Sequence, residues 1–159
     1  MKNLAIDVLK KKWRAENCSY TPASASEIHD FERERKIVFP EDFKRYLLEV
    51  NGTKVDGDSN LFEFYPLDRL ETWIEKKWTI PPRAPNYFVA NEFYVFCDYM
   101  ISCWAYAIRL GNDQDSGEVL ACGWLEFTKI ADSFTDFIEL YLADDERIYP
   151  PPQPVKVST

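Results

Sequence analysis

Phe43, Tyr46, Leu47 and Val50 fall at the spacing of one helical face. Pro40 ahead of them suits a first helical turn, where no backbone N–H is needed, and Asn51-Gly52 behind them is a stop, because Gly tolerates the left-handed conformation. The pattern predicts a helix over 40–51 whose inner face anchors the domain. A first helix is expected over 3–15, with Leu4, Val8 and Trp13 inward and Lys10-Lys11-Lys12 near its end, where positive charge suits the dipole. Ser24-x-x-Glu27 reads as a capping box opening a helix with Ile28 and Phe31 inward and Glu32 to Arg35 mostly outward. Asp68-x-x-Glu71 reads as the start of another, with Leu67, Leu70, Trp73, Ile74 and Trp78 as its apolar set. Asp132-Ser133-Phe134-Thr135 begins a last helix to about Ala143, with Phe134, Phe137, Ile138, Tyr141 and Leu142 inward.

Between these the period falls to two. Leu61 to Tyr65 reads as a short strand, and Tyr87 to Asp98, dense in aromatic and β-branched residues, as one or two strands. From Ile101 to Leu110 the residues alternate, with Trp104, Tyr106, Ile108 and Leu110 on one face. Gly111 to Gly117 is a polar hairpin loop, and Glu118 to Trp124 is the returning strand. Three prolines in Pro81-Pro82-Arg83-Ala84-Pro85 forbid helix or ladder, and Tyr149-Pro150-Pro151-Pro152-Gln153-Pro154 reads as polyproline-like. The expectation is an α+β fold: one domain over 1–149, an antiparallel meander flanked by N-terminal helices and a C-terminal helix, and a Pro-rich tail over 150–159.

Composition sharpens this. A chain of 159 residues with 46% hydrophobic and 16% aromatic content suits one domain with a ring-rich core that needs no disulfide or metal. A net charge of −8 would be repelled by nucleic acids and anionic membranes; it serves solubility, or attracts a basic protein. Cys18, Cys97, Cys103 and Cys122 form no C-x-x-C pair, and Cys97 and Cys103 fall in segments that read as strands. Met1-Lys2-Asn3-Leu4 leads into a charged stretch rather than a secretory signal, and no apolar run is long enough for a membrane span, so the expected compartment is the cytoplasm.

Chemistry is sparse. The one histidine, His29, lies among charged residues. No Gly-x-Ser-x-Gly elbow, zinc spacing, calcium loop or phosphate-binding glycine motif is found. Asp132, Asp136 and Glu139 share a helical face that a solvated surface explains. Trp73, Trp78, Trp104 and Trp124 suit a ligand pocket or, better, core packing. No catalytic residue, cofactor or metal is assigned.

Three segments carry a family resemblance: Phe39-Pro40-Glu41-Asp42-Phe43-Lys44 with its Asn51-Gly52 finish, Phe93-Tyr94-Val95-Phe96-Cys97-Asp98-Tyr99 with Trp104-Ala105-Tyr106, and Ile130-Ala131-Asp132-Ser133-Phe134-x-x-Phe137-Ile138. In this order they resemble the SUKH superfamily, the group of fungal Smi/Knr cell-wall regulators and bacterial relatives, over roughly residues 24–143. The resemblance implies an α+β domain that works by binding, not catalysis. In the bacterial branch it implies an immunity protein that neutralises a cognate toxin, often a nuclease. A basic toxin face would suit an acidic inhibitor. The candidate toxin-binding patch is Asp56, Asp58, Asp113, Asp115 and Glu118, each of which also reads as a solvated turn residue. The alternatives are a regulatory interaction scaffold of the Smi/Knr type and an undetected hydrolase. No oligomeric state follows from the sequence.

Overall fold

Alternation along the strands sends side chains to two faces of one sheet, and each face is covered in its own way. The computed structural model describes residues 4–149 except 55, 113–115 and 124–125. Its strands are β1 (Phe62–Phe64), β2 (Glu71–Thr72), β3 (Phe93–Tyr99), β4 (Trp104–Arg109), β5 (Val119–Cys122) and β6 (Phe127–Ala131). All pair antiparallel in the order β1-β3-β4-β5-β6, and β2 joins the same edge of β3 as β1. The helices are α1 (Leu4–Ala15), α2 (Ala25–Arg35), α3 (Glu41–Glu49) and α4 (Phe134–Leu142). The fold is α+β, with the expected meander between N-terminal helices and a C-terminal helix.

One sheet face carries Tyr94, Phe96, Tyr106, Ile108, Val119 and Ala121 into a core shared with the helices. A β-bulge between Val95 and Cys97 turns both Phe96 and Cys97 to this side. The opposite face carries Phe93, Val95, Ala105, Ala107, Leu120, Cys122 and Phe127. It is closed by Trp73 and by Trp78, Ala84, Phe88 and Ala90 from the irregular segment ahead of β3.

Carboxylates lock the helices to this frame. Asp42, in the first turn of α3, accepts from Thr135 N at 2.8 Å and from Thr135 Oγ1 at 3.0 Å, while Ser133 accepts from Asp136 N at 3.1 Å. Two of the N–H groups that α4 leaves open at its start are thereby satisfied, one of them from another helix. At the other end of α4, Tyr141 accepts from Trp13 Nε1 at 3.1 Å and donates to Asp58. Asp58 is buried and also accepts from Asn60 N at 2.8 Å and Phe62 N at 2.9 Å.

The stop after α3 is a side-chain latch. Asn51 takes the left-handed conformation at φ 60, followed by Gly52 at φ 78. Asn51 accepts from Leu67 N at 2.7 Å and donates to Thr21 O at 3.1 Å. A Cβ on Gly52 would come within 2.5 Å of Phe64 O, so glycine is needed for close approach as well as conformation. The capping box of α2 forms as expected: Ser24 accepts from Glu27 N at 3.1 Å, and Glu27 accepts from Ser24 N at 2.7 Å.

Four expectations are corrected. The helix expected from Asp68 is instead a 3-10 turn at Leu67–Arg69, then β2, then a single turn in which Thr72 and Glu75 cap one another. The reason is topological: Leu67 and Leu70 enter the helical core, Trp73 enters the opposite core, and one continuous helix cannot serve both faces of a sheet. In α1 the inward residues are Ile6, Leu9 and Trp13, whereas Leu4 is 71% exposed. Ile6, Leu9 and Trp13 sit at i, i+3 and i+7 on one face, from which Trp13 reaches Tyr141, whereas Leu4 and Val8 lie on the far side of the helix from Trp13. Cys103 lies in the β3–β4 turn, exposed, rather than in a strand. β6 is an additional strand, its alternation broken by a bulge at Val119/Leu120 that leaves Ile130 without a register partner. The Pro-rich tail lies outside the described residues.

Removing these carboxylates should cost stability in proportion to what each leaves unpaired. Asp58→Ala should lower unfolding free energy by about 2–3 kcal/mol and Asp42→Ala by about 1–2 kcal/mol, while Asp56→Ala, at an exposed turn, should stay within about 0.5 kcal/mol. Urea titration monitored by circular dichroism measures all three.

Candidate interaction surface

Helical spacing brings acidic side chains together where sequence position does not. Glu27, Asp30 and Glu34 lie on the exposed side of α2 and face the Asn51–Lys54 turn and the Pro66–Arg69 turn. Between them runs a groove of about 660 Å³. Four carboxylates line it, those of Glu27, Asp30, Glu34 and Asp68, against two cations, Lys54 and Arg69. Part of the positive charge is already engaged, since Arg69 pairs with Glu63 at 2.6 Å and lies over the Tyr65 ring at 4.4 Å. The Glu27 carboxyl is held below its usual range by the Ser24 backbone N–H and then the Ser24 side chain, so it stays anionic. Phe31, Ala23 and Leu67 supply apolar surface. The groove combines an acidic rim with an apolar floor.

The acids proposed from sequence do not assemble into one patch. Asp58 is withdrawn from the surface altogether; its lone pairs serve Tyr141, Asn60 and Phe62. A charge reversal there would strand a buried cation and unfold the protein rather than report on binding. Asp56 is exposed in the turn before β1. Glu118 is half-buried at the start of β5, within 3.6 Å of Arg109 and 3.7 Å of Lys129, so much of its charge is internally compensated. Register sets these two far apart: β1 pairs with the Tyr99 end of β3, whereas Arg109, beside Glu118, pairs with Phe93 at the other end, roughly 20 Å away. Asp113 and Asp115 lie outside the described residues. The α2 acids were missed because Asp30 and Glu34 look like ordinary solvated helix positions; only the turn folded against them makes a groove.

Among the described residues, no group of three or more His, Cys, Asp or Glu side chains is placed to hold a metal ion, and no helix is long and apolar enough to cross a membrane. His29 is exposed on α2. Lys10 and Lys12 are tied to Glu49 and Glu16 at 2.8 Å each, as a charged helix end would be. Trp73 and Trp78 pack edge to face at 4.9 Å, and both, with Trp104, line a second, smaller cavity; Trp124 lies outside the described residues.

A family model described as the SMI1 / KNR4 family (SUKH-1) matches residues 22–140. The chain belongs to this family. A search of curated proteins finds no match.

Thiol chemistry follows the burial pattern. Burial, with Glu16 and Asp58 nearby, pushes the Cys18 thiol up to about 11, and burial likewise raises Cys97 and Cys122. At pH 8, Cys103 should react first with a disulfide reagent such as DTNB, and Cys18, Cys97 and Cys122 should react at comparable rates only after denaturation. Counting released thionitrobenzoate before and after adding guanidinium checks this.

Proposed function

We propose that this chain is a non-enzymatic immunity protein that binds a basic toxin domain, such as a nuclease, through the acidic groove beside α2. Membership of the SUKH-1 family supports a binding role. The observation that carries the choice of surface is the groove itself: four carboxylates against two cations around an apolar floor, on a chain of net charge −8. An acidic, concave surface steers a basic partner and contributes to specificity, and an inhibitor seated on a nuclease face blocks substrate by exclusion. Glu27 has a structural duty in the cap of α2, so recognition falls mainly to Asp30, Glu34 and Asp68.

The test is binding to the toxin domain encoded beside its gene. Asp30→Lys, Glu34→Lys and Asp68→Lys together should weaken the complex by about a hundredfold or more, with the thermal unfolding midpoint little changed and protection against the toxin lost. Unchanged affinity would exclude the groove. Loss of affinity on Asp56→Lys with Glu118→Lys instead would return the interface to the loops. A scaffold role would show as capture of several cellular proteins with no effect on toxin activity.

A further inference from the structure

The turn between β3 and β4 runs against the preference of its own side chains. Met100, Ile101 and Ser102 follow one another in the left-handed region, at φ 54, 53 and 64. Asparagine or glycine takes that conformation readily, whereas a β-branched residue there is a steric outlier. Ile101 is also 89% exposed and Met100 44% exposed, and neither belongs to either core, so nothing inside the chain offsets the strain. Leu61, whose carbonyl accepts from Met100 N at 3.1 Å, repeats the combination at φ 70 and 55% exposed. Strained backbone that holds apolar side chains out in water points to a contact made outside the chain.

A hollow of matching chemistry lies against this tip. Ser102, the last of the three residues, lines a cleft of about 390 Å³ whose other walls include Trp73, Trp78, Thr79 and Trp104. The tip does not fill its own cleft, because Ile101 adjoins the wall and stands in solvent. A second copy can fill it. Each copy presents a knob and a hollow side by side, and a two-fold axis between them seats each tip in the other's cleft, the self-complementary arrangement that a closed pair requires. Charge favours the same occupant. A chain of net charge −8 repels its own copies wherever carboxylates meet. The tip residues Leu61, Met100, Ile101 and Ser102 are uncharged, and among the described residues the cleft lining holds Lys77 but no carboxylate. The cleft and the acidic groove beside α2 share no lining residue. We propose that this end of the sheet is a two-fold interface with a second copy of the chain, in which Met100 and Ile101 of each copy enter the Trp73–Trp78 cleft of the other.

Sedimentation velocity on the full chain, from about 1 μM to about 1 mM, should show a monomer passing to a dimer and to nothing larger. Ile101→Asn should weaken the dimer by about tenfold or more while leaving the thermal unfolding midpoint unchanged or raised, because asparagine tolerates the left-handed backbone. Thr79→Arg, which fills the cleft from its rim, should weaken it similarly. An equimolar mixture of the two variants keeps one intact contact, the Ile101 tip of the Thr79→Arg chain in the unblocked cleft of the Ile101→Asn chain. The mixture should therefore associate more tightly than either variant alone. Trp78→Ala takes the place of Thr79→Arg if that variant does not fold. A chain that stays monomeric throughout would overturn the interface, even if Ile101 proved to drive binding to lipid vesicles. So would an Ile101→Asn chain that pairs as the unaltered one does. Species growing beyond the dimer would overturn the two-fold closure, and a mixture no tighter than its components would overturn the seating of tip in cleft.

Discussion

The two ends of α4 are each held by a carboxylate that arrives from a distant part of the chain. Asp42 satisfies the first turn across 93 residues, and Asp58 engages Tyr141 in the last turn across 83. Between these points Phe134, Phe137, Ile138 and Tyr141 press on the sheet. The apolar face alone would let the helix slide or rotate, since ring packing is tolerant of small shifts. Hydrogen bonds to charged acceptors in a half-buried setting are directional and stronger than neutral ones. They fix α4 against α3, α1 and the loop into β1 at once.

This locking divides the acidic residues into two populations. Asp42, Asp58, Glu32 and Asp98 are spent on the structure: Glu32 accepts from Phe39 N at 3.0 Å and pairs with Lys44 at 3.1 Å, and Asp98 accepts from Tyr65 Oη at 2.7 Å. Asp30, Glu34 and Asp68 remain on the surface at the groove. Net charge treats these populations alike. Exposed carboxylates also lie elsewhere, Asp56, Glu71 and Asp132 among them; what sets Asp30, Glu34 and Asp68 apart is that they line one groove.

Local signals were legible wherever a single element settles its own ends. The capping box at Ser24 and Glu27, the Ser133 start of α4 and the Asn51-Gly52 stop all formed, because each satisfies backbone groups within a few residues. The meander was legible from its alternation. What was not legible depends on which face of the sheet a segment meets. The 67–78 stretch has a fair helical period, yet its leucines and Trp73 belong to opposite cores. In α1 the helical spacing from Trp13 back to Leu9 and Ile6 is the regular one, and Leu4 and Val8 fall on the far side of the helix from Trp13. Asp58 in an Asp-Gly-Asp run looks like a turn acid; its burial follows from a tyrosine far along the chain. The α2 groove was hidden for the same reason, because its second wall comes from the turns after α3 and β1.

Amide hydrogen exchange, with and without a basic toxin domain of the kind the proposed function calls for, tests the central claim most directly. The account places the contact on α2 and the turns facing it, so protection should appear in residues 25–35, 51–54 and 66–69 on binding, and exchange around Asp56 and Glu118 should stay as in the uncomplexed protein. Protection confined to the loops around Asp56 or Glu118, with α2 and its facing turns unchanged, would contradict it.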